Sequence, residues 1–177
     1  MEPRFVMVLD TVRCVGCSAC VIACKTENAV PEGGFRDWVV SETRGRFPQL
    51  ALENRSERCN HCENAPCIAN CPTGASHRGR GGTVQIDRSK CTGCKSCIAA
   101  CPYGARFVHP DGFVDKCTFC AHREDGTTAC TAVCPTECIA FGDANDAVSA
   151  VSRLLASRRS KVILPEAGTR PHVYYLM

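Results

Sequence analysis

The sequence has little of what most soluble enzymes are built from. It contains eleven aromatic residues in 177, only one of them Trp, so a core made of hydrophobic side chains alone would be thin. No run approaches 18 consecutive apolar residues, and we therefore expect no transmembrane segment. The start, MEPRFVMVLD, has only a five-residue apolar run from Phe5 to Leu9, which predicts a β-strand and not a secretory signal.

Motifs of catalysis and of nucleic-acid binding are also missing. The sequence has no Walker loop, no dinucleotide fingerprint and no nucleophile–base constellation. We therefore predict no catalytic residue and expect that the chain is not an enzyme by itself. The net charge is +3 and no long basic run occurs, which argues against a nucleic-acid partner.

Cysteine, in contrast, is abundant, with 17 residues. This density is typical of a disulfide scaffold or a metal protein, and the odd number argues against disulfides alone. Sixteen cysteines form four motifs, and Cys138 is left over. The motifs are, in chain order, motif one (Cys14, Cys17, Cys20, Cys24), motif two (Cys59, Cys62, Cys67, Cys71), motif three (Cys91, Cys94, Cys97, Cys101) and motif four (Cys117, Cys120, Cys130, Cys134).

Motifs one and three have the spacing Cys-x2-Cys-x2-Cys-x3-Cys, which is typical of bacterial ferredoxins that bind 4Fe-4S clusters. Three cysteines two residues apart can surround one cluster from a tight loop, for which Gly16 and Gly93 are suited. The fourth cysteine lies at the start of a departing helix and reaches a neighbouring cluster.

Motifs two and four keep the two outer pairs of cysteines but widen the gap between them to four and nine residues. The wide gap in CTFCAHREDGTTACTAVCP carries charge and an Asp125-Gly126 turn signal, so it predicts an exposed loop. Residues 8–25 also align with residues 85–102 at a constant offset of 77, with seven of 18 positions identical, as if a two-motif unit had been duplicated.

Because the last cysteine of each motif crosses to a neighbour, the motifs must pair. Loop lengths suit a nested arrangement of motifs two and three inside motifs one and four, and the sequential pairing of one with two and three with four stays open. Nesting predicts four ligand sets: set A (Cys14, Cys17, Cys20, Cys134), set B (Cys117, Cys120, Cys130, Cys24), set C (Cys59, Cys62, Cys67, Cys101) and set D (Cys91, Cys94, Cys97, Cys71).

The predicted fold class is α+β, with two interlocked ferredoxin-like modules. The expected parts are an outer module of residues 1–30 and 103–142, an inner module of residues 55–102, a β-hairpin insertion at 31–54, and a C-terminal helix and docking tail at 143–177. Within the last part, apolar residues at helical spacing predict a helix over 144–160.

Other uses of these residues are weaker. A four-thiolate zinc site typically takes two Cys-x2-Cys pairs, and motifs one and three supply more than that locally. His61 lies inside CNHC, but a Rieske centre needs two histidines in place of cysteines, so we expect a surface or supporting position for His61. Cys138 is expected to be a packed thiol and not a ligand. The lysines beside cluster cysteines are expected to balance negative charge: Lys25, Lys90, Lys95 and Lys116.

In this order and with these gaps, the four motifs resemble the four-cluster iron–sulfur subunit of the complex iron–sulfur molybdoenzymes, which include polysulfide, thiosulfate, dimethyl sulfoxide and tetrathionate reductases. The similarity runs from Val8 to about Gly142, and the ending GTRPHVYYL is similar to that of the polysulfide reductase type. The resemblance implies nested pairing, four 4Fe-4S clusters, and electron transfer between a quinol-oxidising integral membrane anchor and a molybdopterin catalytic subunit.

The resemblance also implies an orientation. Sets A and B would face the molybdenum subunit and set D would lie nearest the quinone. The chain would be peripheral on the membrane through its partners, on the periplasmic face by export with the catalytic subunit, with the cytoplasmic face as the alternative. A free-standing polyferredoxin, or the beta subunit of a related complex such as nitrite reductase or formate dehydrogenase, remains open.

Overall fold

The computed structural model describes residues 2–177, which fold into short helices and small sheets, as predicted for the α+β class. The ten strands are β1 (Phe5–Asp10), β2 (Asp37–Arg46), β3 (Gln49–Arg58), β4 (Ser76–Arg78), β5 (Val84–Ile86), β6 (Phe107–Val108), β7 (Val114–Asp115), β8 (Ile139–Asp143), β9 (Ser160–Lys161) and β10 (Val173–Leu176). The five α-helices are α1 (Ala19–Glu27), α2 (Pro66–Ala69), α3 (Ser96–Ala99), α4 (Ala129–Val133) and α5 (Ala150–Ser157).

The largest sheet has four strands in the order β8-β1-β10-β9. The predicted first strand is confirmed as β1, which pairs antiparallel with β8 and parallel with β10. Alternate β1 side chains go to opposite faces. Val6 and Val8 pack on Val151 of α5, whereas Met7 and Leu9 pack on the core that contains the cysteines. This strand is buried on both faces, which explains its continuous apolar run.

The C-terminal residues form the interior of this sheet. Tyr175 and Leu176 of β10 are fully buried, so the apolar tail docks on its own chain. Helix α5 is shorter than the predicted 144–160, since it begins at Ala150. Ser149 accounts for that start, because its hydroxyl accepts a hydrogen bond from the backbone N–H of Ser152 and caps the helix.

A hairpin is formed by β2 and β3, which pair in register from Asp37 opposite Arg58 to Arg46 opposite Gln49, so it extends to Arg58 and not only to residue 54 as predicted for the insertion. Its tip is exposed and its base is buried, with Asp37 and Arg58 inside the protein. Two smaller hairpins, β4–β5 and β6–β7, flank motif three. No helix in the described range 2–177 is long and apolar enough to cross a bilayer.

Candidate metal centres

The loops of motifs one and three have the same backbone turn. Gly16 and Gly93 both have positive φ, at 71° and 67°, and so do Ser18 and Lys95, at 60° and 66°. These pairs are separated by the repeat offset, so duplicated sequence gives duplicated geometry. A Cβ at position 93 would lie 2.2 Å from the carbonyl oxygen of Gly112, so only glycine fits there.

Helices α1 and α4 bring motifs one and four together, because they pack against each other. A cavity at one end of the pair is lined by all four cysteines of set A, and a second cavity is lined by all four of set B. Each helix therefore serves two cavities: α1 carries Cys20 for the first and Cys24 for the second, and α4 carries Cys130 for the second and ends beside Cys134 of the first.

Helices α2 and α3 do the same for motifs two and three. A third cavity is lined by the four cysteines of set D. The cysteines of set C also lie close together. Burial, together with negative charge on Cys59, Cys67 and Cys101, raises the pKa of the Cys62 thiol to about 11, against a hydrogen bond from Thr169 that lowers it.

The three cavities are each lined by all four cysteines of one set, although the sets come from motifs of different spacing. In the described range 2–177, no group of three or more His, Cys, Asp or Glu side chains is placed to bind a single metal ion. Zinc would need thiolates about 2.3 Å from one point, whereas a cubane needs them spread around a cavity. All 17 cysteines are free thiols, so disulfides do not use them either.

Backbone amides point at several of these sulfurs. Ser76 N donates to Cys71 Sγ at 3.4 Å, Val114 N to Cys91 Sγ at 3.4 Å, and Phe119 N to Cys117 Sγ at 3.5 Å. Burial alone would raise the pKa of Cys71, but the hydrogen bonds from Ser76 and its neighbours bring that pKa below its ordinary value. Such donors stabilise the thiolate, which is the form that binds iron.

The four sets differ in exposure in a symmetrical way. Set A has one exposed cysteine, Cys17, and set D has one exposed cysteine, Cys94. In both sets one further cysteine is buried and two are half-buried. All four cysteines of set B are buried, and in set C only Cys101 is not. Two sets therefore reach the surface and two do not.

Sequence reasoning missed a group of buried charges around the cysteines. Arg58 is 1% exposed, donates from Nη1 to Cys130 Sγ at 2.9 Å, and pairs with Asp37 Oδ2 at 3.2 Å. Arg36 and Asp115 form a second buried pair at 2.8 Å. A signal was available: the residue directly before the first cysteine is basic in all four motifs (Arg13, Arg58, Lys90, Lys116). Nothing in that pattern says which of the four are buried.

The residues expected outside the ligand sets are also placed. His61 is fully buried and stacks on Phe119 at 3.7 Å, so the surface position considered for it is wrong. Its Nδ1 accepts a hydrogen bond from the backbone N–H of Val84 at 3.0 Å, and this bond helps to fix the loop of motif two. Cys138 is 5% exposed and borders the set A cavity, with its Sγ 3.4 Å from Cys134 Sγ.

Comparison with known proteins agrees with this geometry. Two models described as 4Fe-4S dicluster domains match residues 13–75 and 50–144. Both include motif two, so the matches do not by themselves divide the motifs into pairs.

Several curated proteins are similar over most of their length. The chain is 43% identical to the "Protein NrfC homolog" of Haemophilus influenzae, covering 98% of this chain and 80% of that protein. It is 39% identical to a tetrathionate reductase subunit of Salmonella typhimurium, covering 98% and 72%. It is 44% identical to the thiosulfate reductase electron transfer subunit PhsB of Salmonella typhi, covering 78% and 76%.

Proposed function

This chain belongs to the 4Fe-4S dicluster proteins that serve reductase complexes as non-catalytic electron-transfer subunits, and we propose that it relays single electrons through four clusters, bound by sets A to D. A cubane held by four thiolates supplies one-electron exchange and has no open coordination position for a substrate. Three cavities, each lined by all four cysteines of one set, and the close approach of the cysteines of set C support this ligand assignment.

The order of the relay in this proposal is A, B, C, D. Sets A and B share helices α1 and α4, and sets C and D share α2 and α3. Between the two pairs, the buried side chain of Lys116 lies near both Cys59 of set C and Cys117 of set B. Cys67 of set C packs with Cys97 of set D in another core. Successive sets are therefore neighbours, and the two terminal ones are those with an exposed cysteine.

That exposure carries the proposal. Electrons must enter and leave at the surface, while the intermediate carriers are best shielded from water. Cys17 and Cys94 make sets A and D accessible to partner proteins, and the burial of sets B and C shields the clusters proposed there from water. A carrier protein with one docking face would not need exposed cysteines in both terminal sets.

The partners in the proposal follow the family resemblance. Set A faces a molybdopterin catalytic subunit of the sulfur-compound reductase type, and set D faces a quinol-oxidising membrane anchor. The tetrathionate and thiosulfate reductase relatives support this choice of catalytic partner. The partners would hold the chain on the periplasmic face of the membrane, and protease digestion of spheroplasts tests that side against the cytoplasmic one.

Anaerobic purification of the tagged chain from its native host tests the proposal. We expect about 16 iron atoms per chain, from four cubanes, together with a co-purifying subunit that contains molybdenum. Iron at this level without molybdenum or any membrane subunit would favour a free-standing polyferredoxin. About four zinc atoms in place of iron would overturn the proposal.

A further inference from the structure

Two buried cations beside set C lack a carboxylate partner. Lys116 is 0% exposed and Arg106 is 5% exposed. Within residues 2–177, Lys116 makes its hydrogen bonds to backbone carbonyls, and Arg106 makes its hydrogen bond to the hydroxyl of Ser76. An isolated buried charge is costly unless an opposite charge lies nearby. No carboxylate of the described residues supplies that negative charge here, so it has to come from another anionic group.

Lys116 lies between motif four and motif two. Its Nζ donates to the carbonyl of Cys117 at 2.7 Å and to the carbonyl of Val84. Val84 in turn donates from its N–H to His61, inside the loop of motif two, and packs on Cys67 of set C. Burial, together with the positive charge of Arg106, holds the pKa of the Lys116 amine below its ordinary value, although negative charge on the nearby Cys59, Cys117 and Cys67 opposes that shift.

Arg106 lies near cysteines of both set C and set D. Its Nη1 donates to Ser76 Oγ at 2.9 Å, and Ser76 N donates to Cys71 Sγ of set D. Its Nη2 is buried without a hydrogen-bond partner in the described part of the chain. Burial would lower the pKa of Arg106, but negative charge on Cys67 and Cys59 of set C, and on Cys97 of set D, raises it above its ordinary value.

Set B is different, because its buried cations are paired. Arg58 and Asp37 both border the set B cavity and lie 3.2 Å apart, and Arg36, which also borders it, is bonded to Asp115 through two nitrogens at 2.9 and 2.8 Å. Each pair is neutral overall. Lys116, which lies beside Cys117, is thus shared between sets B and C, whereas set C has Arg106 beside it as well, so set C has more uncompensated positive charge than set B.

We infer that Lys116 and Arg106 hold the reduction potential of the cluster at set C above that of the cluster at set B. Reduction adds a negative charge, and a buried cation in a region of low dielectric constant favours that added charge. Of the clusters at the two buried sets, the one at set C is then reduced first. This inference depends on the proposed function, since it needs clusters at both sets.

Redox titration of the complete, cluster-loaded chain, followed by electron paramagnetic resonance, tests the inference. The signal lost in Cys62→Ser identifies the set C cluster, and the signal lost in Cys120→Ser identifies the set B cluster. In the unmodified chain we expect the higher midpoint potential at set C. In Lys116→Gln and in Arg106→Gln, which keep an N–H donor but remove the charge, we expect that potential to fall by at least a tenfold change in the reduction equilibrium, about 59 mV for one electron.

Lys90→Gln is the matched control. Lys90 also directly precedes the first cysteine of a motif, but its side chain is 63% exposed, so we expect less than a twofold change at any cluster. Lys116→Arg and Arg106→Lys keep the charge and should keep the potential. If a Gln variant loses iron while its charge-conserving variant keeps iron and potential, the charge requirement is supported.

Three results would overturn the inference. These are a set B potential equal to or above that of set C, unchanged set C potentials in fully iron-loaded Gln variants, and loss of iron in the charge-conserving variants as well, which would show a packing role. Failure of the proposed function looks different, because the unmodified chain would then lack about 16 iron atoms or show fewer than four cluster signals.

Discussion

The terminal sets A and D and the inner sets B and C are built from the same ligands but differ in their surroundings. Each terminal set has an exposed cysteine, whereas seven of the eight inner cysteines are buried. The basic residue before each motif follows the same division. Arg13 and Lys90 have side chains 52% and 63% exposed, and Arg58 and Lys116 are 1% and 0% exposed. The basic residue that precedes each motif is thus a solvated charge in motifs one and three and a buried charge in motifs two and four.

This difference comes from packing between motifs and not from the motifs themselves. Arg58 ends strand β3 and borders the set B cavity, and Lys116 follows strand β7 and donates to the carbonyl of Val84 in strand β5. Burial of these cations is tolerated because each lies beside thiolates, and buried charge needs opposite charge close by. The comparison predicts that substitutions beside the inner sets B and C reduce iron content, electron transfer and stability more than equivalent substitutions beside the terminal sets A and D.

The largest effect is expected from Cys117→Ser, which removes a buried ligand of set B. The variant should lose about four iron atoms, because a cubane with a missing thiolate is poorly held. Electron transfer from quinol to the reductase should stop, since the proposed relay places set B between sets A and C. Iron analysis and quinol-driven turnover measure both effects.

Cys138→Ala is the matched control for a buried thiol outside the sets. The backbone N–H of position 138, which donates to Cys134 Sγ at 3.3 Å, is kept. Iron content near that of the unmodified chain is expected. Loss of a whole cluster in this control would show that Cys138 is a ligand.

Cys94→Ser should damage only one end of the relay. Cys94 is the exposed ligand of set D, proposed to be nearest the quinone. Quinol-driven turnover should be lost, while turnover from an artificial donor that reduces the catalytic subunit directly should be retained. Quinol activity that survives an altered set D cluster would show that the assigned order is wrong.

A smaller effect is expected from Arg58→Met, which leaves Asp37 buried without its cation. Removing one partner of a buried ion pair costs about 3–5 kcal/mol. Arg13→Met breaks only an exposed pair with Glu137 at 3.9 Å, worth about 1 kcal/mol or less. The loss of cluster absorbance on heating under argon compares the two variants, and equal midpoints would contradict the division between middle and ends.

The smallest effect on iron content and thermal stability is expected from a substitution in the nine-residue gap of motif four. Arg123 in this loop bonds Glu27 of α1 at 2.9 Å and Asp125 at 2.6 Å, on the surface. Exposed pairs contribute little to stability, so Arg123→Ala should keep the iron content and the thermal midpoint of the unmodified chain. A marked loss of iron would mean that the loop positions Cys120 and Cys130.

The cysteine spacing predicted much of this molecule because the number of residues between cysteines determines which thiols one loop can bring together. Gly16 and Gly93 were identified as loop residues, and their positive φ angles agree with that role. The first strand and the hairpin followed from apolar runs and turn signals. The start of α5 was missed, since the helical spacing continued upstream of the cap at Ser149.

The buried charges could not be derived in the same way. Lys90 and Lys116 are the same residue at the same place in two motifs, and only the tertiary packing around them separates their environments. The pairing of Arg58 with Asp37 depends on the register of a hairpin that brings residues 21 positions apart face to face. Sequence reasoning places such residues near cysteines, and tertiary packing decides whether water reaches them.

The central claim is that four clusters form a relay with two accessible ends and a shielded middle. Microwave power saturation of the fully reduced, cluster-loaded chain, recorded with and without a water-soluble dysprosium complex, measures the access of solvent to each cluster. We predict four signals, of which those lost in Cys17→Ser and Cys94→Ser relax faster with dysprosium while the other two barely change. Equal enhancement of all four signals, or fewer than four signals, would contradict the account.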